Sequence, residues 1–323
     1  MPGEPRRVDR GAASGRRQSR DNRTVCGRFV ASTPVSELAE LLSAAEVDPA
    51  PPERADAGDG AVPPPRWNVA PQAAVWALSV GKRRLTGGGG GAGSGDTSHV
   101  RRLAQYRWGL VPSWAKDPAV GARMFNARGG TLAAKPAYRT ALARRRCIIP
   151  ADAFYEWGPA SDEAAVVPAG LPGIDTGTAP KAGGGRKTRP RKQPWCFRRA
   201  DGEILAFAGL WEAWKPPNAG DGQPSTQAPH HPGWLLSCTI ITTEANELVA
   251  GVHDRMPVIL PTDAWDEWLG PNDLAPADLQ DLLAPAPSGV LISYKVADLV
   301  SNSRSEGKEL AEPLSVTVAS AGC

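Results

Sequence analysis

Three long interruptions decide what this chain can fold into. Residues 87–95 are nearly all glycine, 158–194 mix Gly, Pro and Ala with a basic cluster (Lys181, Arg186, Lys187, Arg189, Arg191, Lys192), and 216–232 are rich in Pro, Gly, Asn and Gln. Such composition makes loops or disorder, and inside a domain it reads as insertion over the surface, here near 86–98, 158–194 and 216–232. What lies between is cut short. Residues 74–80, 105–110, 147–151, 195–199, 204–210, 234–242, 258–260 and 290–296 are apolar or alternating runs, rich in Val, Ile and aromatics and bounded by Gly, Pro or Asp. That is the pattern of strands. Helical patterns are fewer: 35–45, 136–143, 262–268 and 277–283. Strands outnumber helices without alternating regularly with them. The expected fold is therefore α+β, a single domain on a curved, mainly antiparallel and barrel-like β-sheet with a few peripheral helices. Residues 26–315 would form it, followed by a tail at 316–323.

Charge and cysteine usage narrow the chemistry. With 323 residues, 41% hydrophobic, the chain can bury a full core, and a net charge of only +3 confines any nucleic-acid surface to a local patch. No apolar stretch approaches the roughly 20 residues of a membrane span, so no membrane partner is expected. The five cysteines are odd in number and lack paired spacing, which argues for a reducing compartment and against a disulfide framework. Cys147 and Cys238 sit in apolar runs and read as inert buried thiols. With only four histidines no zinc constellation can be assembled, and neither metal nor cofactor is expected.

The N-terminal stretch points to one residue. Residues 1–24 carry Arg6, Arg7, Arg10, Arg16, Arg17, Arg20 and Arg23 among Gly, Pro, Ser and Asp, with no aliphatic run to bury. The apolar centre of a secretory signal and the amphipathic face of a transit peptide are both missing. Residues 1–25 are expected to be a disordered or non-native leader: a basic arm, a removable pro-segment, or sequence translated ahead of the true start. The last is favoured, because a GTG valine codon at Val25 can initiate in a GC-rich bacterial genome, and removal of the initiator leaves Cys26 first. An N-terminal Cys26 owns an α-amine with an unperturbed pKa of about 7.7–8.0 beside a thiol of about 8.5. Amine and thiol on adjacent carbons form a Schiff base with an aldehyde and then close it to a five-membered thiazolidine. An internal cysteine cannot do this.

Four polar islands fall at strand ends or in turns, where chemistry is mounted. They are Cys26-Gly27-Arg28-Phe29, Phe125-Asn126-Ala127-Arg128, Phe154-Tyr155-Glu156-Trp157 and Gly251-Val252-His253-Asp254-Arg255-Met256-Pro257. Trp67-Asn68-Val69-Ala70-Pro71-Gln72 and Trp108-Gly109-Leu110-Val111-Pro112-Ser113-Trp114 join them. In this order the six islands resemble the SOS-response-associated peptidase family, abasic-site processing proteins that cross-link to damaged single-stranded DNA. The resemblance runs from Cys26 to about Leu310. Two departures stand out: Gly129-Gly130-Thr131 where the family continues with a bulky residue and Glu-Thr, and Val300-Ser301-Asn302 where it commonly has Val-Asn before another Asn.

Taken alone, these residues have plainer readings: Asn126 as a turn former, Glu156 as the exposed member of an alternating strand, His253 as a surface or capping residue, Arg128 and Arg255 as surface ion-pair partners. The resemblance implies others. Cys26 becomes the nucleophile, Asn126 orients it against the sugar, and Glu156, between aromatics that can raise its pKa, handles protons at the imine. His253, with an unperturbed pKa near 6.5, suits a general acid that opens the sugar ring. Arg128 and Arg255, helped by Arg28, would contact phosphates flanking the lesion. Trp108 and Trp114 are candidates for stacking on bases, with loop packing as the alternative, and Thr242 for a minor part in the pocket.

The expected function is that of an abasic-site sensor in the DNA damage response, forming a covalent thiazolidine cross-link through Cys26 that protects the lesion, with lyase-type Schiff-base chemistry. Its partner would be single-stranded DNA containing abasic sites, with no obligate protein partner, in a bacterial cytoplasm and at the nucleoid. Two rivals remain: a thiol peptidase that removes its own leader, and a non-catalytic DNA-binding module using the basic cluster at 181–192.

Overall fold

The computed structural model describes residues 26–48, 64–82, 99–159, 192–216, 234–270 and 278–314. In chain order the strands are β1 (Arg28–Ala31), β2 (Glu46–Val47), β3 (Arg66–Val69), β4 (Ala74–Lys82), β5 (His99–Trp108), β6 (Asn126–Arg128), β7 (Arg146–Ala151), β8 (Ala153–Pro159), β9 (Lys192–Arg199), β10 (Leu205–Trp214), β11 (Leu235–Glu244), β12 (Arg255–Pro257) and β13 (Leu291–Lys295). The helices are α1 (Val35–Leu41), α2 (Pro136–Arg144), α3 (Glu247–Ala250) and α4 (Trp265–Leu269). None of the described helices is long and apolar enough to cross a membrane.

The strands form two sheets rather than one. The larger runs β12-β11-β10-β7-β4-β5-β2, and a parallel pairing of β11 with β5 (Ser237↔Arg107, Cys238↔Trp108) closes β11, β10, β7, β4 and β5 into a ring. Closure removes the free edges that an open sheet would expose. The smaller sheet runs β13-β9-β8-β1-β3 and is antiparallel throughout. The chain passes from ring to second sheet across one residue, Asp152, between β7 and β8. Its carboxylate accepts from the backbone N–H groups of Ser32 (2.5 Å) and Thr33 (3.2 Å) and from both hydroxyls, pinning the end of β1 at that corner.

Strand alternation sorts the second sheet into two faces. Phe29 of β1, Phe154 of β8 and Phe197 of β9 look toward the ring and join Phe207, Ile149 and Trp108 in the main core. Phe29 meets Trp108 edge-on at 5.0 Å and Phe154 stacks on Phe197 at 4.9 Å. Val30, Ala153 and Tyr155 look the other way, into a small cluster closed by Val296, Val300 and Leu310. On the far side of the ring, Arg146 is buried and donates to the carbonyls of Leu142 (2.8 Å), Ala143 (3.0 Å), Trp268 (2.5 Å) and Gly270 (2.9 Å). One guanidinium thereby satisfies the orphan C-terminal carbonyls of both α2 and α4.

Several expectations change. Residues 258–260 are not a regular strand: β12 is 255–257, and beyond it a single bridge, Ile259 to Phe207, is flanked by backbone hydrogen bonds of Val258 to Ile241 and Ala208 and of Leu260 to Ala206. Of the helix expected at 277–283, residue 277 lies outside the described residues and the rest holds a single 3-10 turn, Asp281–Leu283. Pro285 stops it, because the residue before a proline is driven out of the helical region. The helix at 35–45 ends at Leu41, with Ser43 at a positive φ of 51°. The insertion placed at 158–194 is shorter, since Gly158 and Pro159 pair with Gln193 and Lys192 at the ends of β8 and β9. Its interior, like the glycine run and residues 217–232, lies outside the described residues.

Candidate active site

Glu156 follows Phe154 on the inward face of β8, and the β1–β8 register (Arg28↔Tyr155) brings Cys26, just upstream of β1, against it. The Glu156 carboxylate accepts the Cys26 backbone N–H. Asn126 donates its side-chain amide to the Cys26 carbonyl at 3.4 Å. Both polar atoms of Cys26's backbone are thus held by side chains from strands 100 and 130 residues away. Cys26 is fully buried and adopts φ +42°, a left-handed conformation uncommon outside glycine. Glu156 is not the exposed member of its strand but 2% exposed, and burial pushes its carboxyl up to about 8. The N–H groups of Cys26 and Trp157 and the charge of Lys192 pull it down, while Asp254 adds to the rise. Burial, and then Glu156, push the Cys26 thiol well above its usual range.

The second wall is built on β11. β6 runs parallel to it (Asn126↔Ile240, Arg128↔Thr242), and β12 antiparallel (Thr242↔Pro257, Glu244↔Arg255), so Asn126, Arg128 and Arg255 gather at one end of the ring. Thr242 is buried and serves as a post rather than a contact. Its hydroxyl donates to Ala127 O at 3.4 Å and accepts from Arg255 Nη2 at 3.0 Å, while its carbonyl accepts the same Nη2 at 2.6 Å. Burial and the neighbouring Arg128 both lower the Arg255 pKa, the signature of two guanidinium groups facing one space. Thr242→Val keeps the shape and deletes the acceptor, and should cost about 1.5–3 kcal/mol in urea unfolding, with Thr242→Ser close to the parent.

His253 is delivered by α3, whose N-cap Asn246 accepts from Val249 N at 3.0 Å and whose last turn leaves His253 N bonded to Val249 O at 2.8 Å. Gly158 lets this turn lie against β8. A Cβ there would come within 3.0 Å of Val252 Cγ1 and 3.2 Å of its Cα, so Val252 would have to give by a few tenths of an ångström. Sequence reasoning assigned Gly158 to an insertion. The signal was its place two residues beyond Glu156, on the same face of a strand.

Other expected residues fall elsewhere. Trp108 is fully buried, its indole N–H bonded to Phe125 O at 2.9 Å, so it packs the core and supports the loop before Asn126 instead of meeting a base. Arg28 turns away from Cys26. Its guanidinium donates to Asn68 Oδ1 (2.9 Å), Val300 O (2.8 Å) and Ser301 O (3.5 Å) and lies over the Trp157 ring, clamping the C-terminal segment to β1. The Val300-Ser301-Asn302 stretch is therefore an anchor, with Asn68 donating to Val300 O and Asn302 O. Trp114 is 68% exposed, but its loop is fixed at the start of β11 through Val111 N to Ser237 Oγ and Trp214 Nε1 to Ala115 O. Ser237 precedes Thr242 by five residues, roughly 16 Å of strand. Gly130, in the 3-10 turn after Arg128, faces open space.

A closed ring backed by a second sheet, with a cysteine, a buried carboxyl, an amide and a histidine turn meeting between them, defines a class that comparison identifies. The chain belongs to the SOS response associated peptidase (SRAP) family, whose profile matches residues 25–303. It is 34% identical over 289 residues to the abasic site processing protein YoqW of Bacillus subtilis (strain 168), covering 89% of this chain and 99% of that protein. It is 39% identical over 210 residues to YoaM, another abasic site processing protein of that organism, covering 65% and 74%. A crystal structure of a protein from Bacteroides thetaiotaomicron shares the fold at 18% identity, with a TM-score of 0.60 over 89% of this chain and 99% of that one.

Proposed function

We propose that this protein processes abasic sites in DNA, capturing the open-chain aldehyde of the lesion in single-stranded DNA through an N-terminal Cys26. The observation that carries the reading is the Cys26 nitrogen lying against the Glu156 carboxylate while Asn126 holds the Cys26 carbonyl. In the described chain that nitrogen is an amide, and it stands in for the α-amine of a chain beginning at Cys26. The left-handed φ of Cys26 exists only while a residue precedes it, so loss of residues 1–25 removes the constraint. Residues 26–315 then act as one catalytic unit.

The chemistry follows in three steps. His253 protonates the ring oxygen of the closed sugar, the C1–O bond breaks, and the anomeric hydroxyl loses its proton to leave the aldehyde. The Cys26 amine adds to that carbon and water leaves, giving the Schiff base, with Glu156 relaying the protons. The Cys26 thiol then adds across the C=N bond, its proton passing to nitrogen, and the thiazolidine ring closes. Burial favours the protonated Glu156 carboxyl and a charged α-amine beside it favours the carboxylate, so the pair is placed to exchange a proton at this nitrogen. Arg128 and Arg255 offer guanidinium groups to phosphate. A target without a base has already lost its pairing and stacking, so exposing it costs little.

The thiol-peptidase reading fits less well. A thiol peptidase needs a resting thiolate, which burial beside Glu156 disfavours, whereas ring closure can start from the neutral thiol because the imine nitrogen takes its proton. Incubation with abasic or intact single-stranded oligonucleotide separates the readings. A denaturant-resistant band shift with the abasic strand alone is expected; cleavage of a leader peptide with no shift would sink the cross-linking proposal. Intact-mass analysis of protein from its native host should find Cys26 first.

A further inference from the structure

Nδ1 of His253 has two neighbours that it cannot serve at once. The Arg255 backbone N–H donates to it at 3.1 Å, which requires a bare nitrogen. The Asp254 carboxylate oxygen stands 3.0 Å from the same atom, a contact that attracts only when the nitrogen carries a proton. The imidazole is 4% exposed and the carboxylate 85%, so one partner is backbone and the other a solvent-exposed charge on a rotatable side chain. We propose that Asp254 is a positioning residue that selects the protonation state of His253. In the neutral ring Nδ1 accepts from Arg255 and the proton sits on Nε2. In the imidazolium Nδ1–H donates to Asp254 and the Arg255 amide is released.

The surroundings give this exchange a reach beyond one ring. Among the described residues, the charges in electrostatic contact with the turn and with the acid-base groups beside it include Glu156 on β8, Lys192 on β9, Arg128 on β6, Glu244 on β11 and Arg255 on β12. Asp254 acts on Glu156 as well as on His253, favouring the protonated form of each. Once it takes the imidazolium proton in a hydrogen bond, its charge is compensated and its hold on the Glu156 proton weakens. Protonating His253 thus eases ionisation of Glu156, so the general acid loads as the base is freed. Releasing the Arg255 amide also frees the first residue of β12, whose side chain is held by Thr242.

This inference rests on the reading of His253 as the acid, and its test is made separable from that reading. The pH titration of the His253 ring, followed by nitrogen NMR in the chain beginning at Cys26, should move down by roughly half to one pH unit in Asp254→Asn, and return in Asp254→Glu. Both limbs of the cross-linking pH–rate profile should move toward acid in the same variant, whereas a residue with a purely structural role would lower the rate and leave the limbs in place. An unchanged His253 titration in Asp254→Asn, or limbs that stay put, overturns the proposal. If the titration moves while neither protein cross-links abasic DNA, the exchange stands and the function assigned to the site fails.

Discussion

Cys26→Ser, prepared with serine as the first residue, should lose the denaturant-stable linkage to abasic DNA altogether while still yielding an adduct trappable by borohydride. The amine remains, so the imine forms. Closing it through a hydroxyl gives a weaker ring, because oxygen is the poorer nucleophile and the product reopens readily. The geometry favours this separation of roles: the nitrogen of Cys26 is hydrogen-bonded to the Glu156 carboxylate, and burial favours the protonated form of its thiol. Time-resolved gels with and without borohydride decide the matter. A stable linkage formed by the serine variant without reductant would remove the thiol from the closing step.

Glu156→Gln should be nearly inert and, at alkaline pH, more stable than the parent. A general acid-base group contributes about 10²–10⁴-fold, so forward cross-linking should fall by at least about 10²-fold. Stability moves the other way. The Glu156 carboxyl is pushed up to about 8 in the fold against about 4.3 unfolded, so between these values the folded state holds a proton that the unfolded state has lost. Stability is then fully present below about pH 4.3 and is lost as pH rises toward about 8. Glutamine keeps the oxygen that accepts the Cys26 N–H and cannot ionise. In the chain that still carries residues 1–25, where the partner is an uncharged amide, thermal melts should coincide near pH 4.5 and separate in favour of the variant by several degrees at pH 8. A variant that melts lower at pH 8 would show that the charge is stabilised by something other than the groups around it.

How much of this was legible depended on whether a residue's surroundings were local. The long runs at 74–80, 147–151, 204–210 and 234–242 became β4, β7, β10 and β11, because apolar strand patterns carry their own reason to be buried. β1, β3 and β6 were not called as strands, since three or four residues of mixed polarity become strands only when a neighbour supplies hydrogen bonds. The site shows the same division. Cys26, Asn126 and Glu156, picked from islands in order, do converge. Arg28 and Trp108 stand in the same islands and Thr242 closes the strand before the histidine island, but their partners, Val300 O, Phe125 O and Arg255, are set by tertiary packing that no local pattern encodes. Gly158 escaped for the opposite reason, as its local setting reads as loop while its use is to admit Val252.

The position of β1 also sets a clock. Its two neighbours are β3 and β8, and Arg28 is fastened to Val300, so the first strand of the domain finds its last partner 272 residues later. On a ribosome, the segment bearing Cys26 emerges early and waits for Glu156, then waits again for the C-terminal clamp. Such long-range closure is slow to form. A nascent chain therefore carries Cys26 before its backbone partner Glu156 exists, and β1 is clamped in place only once Val300 has been made.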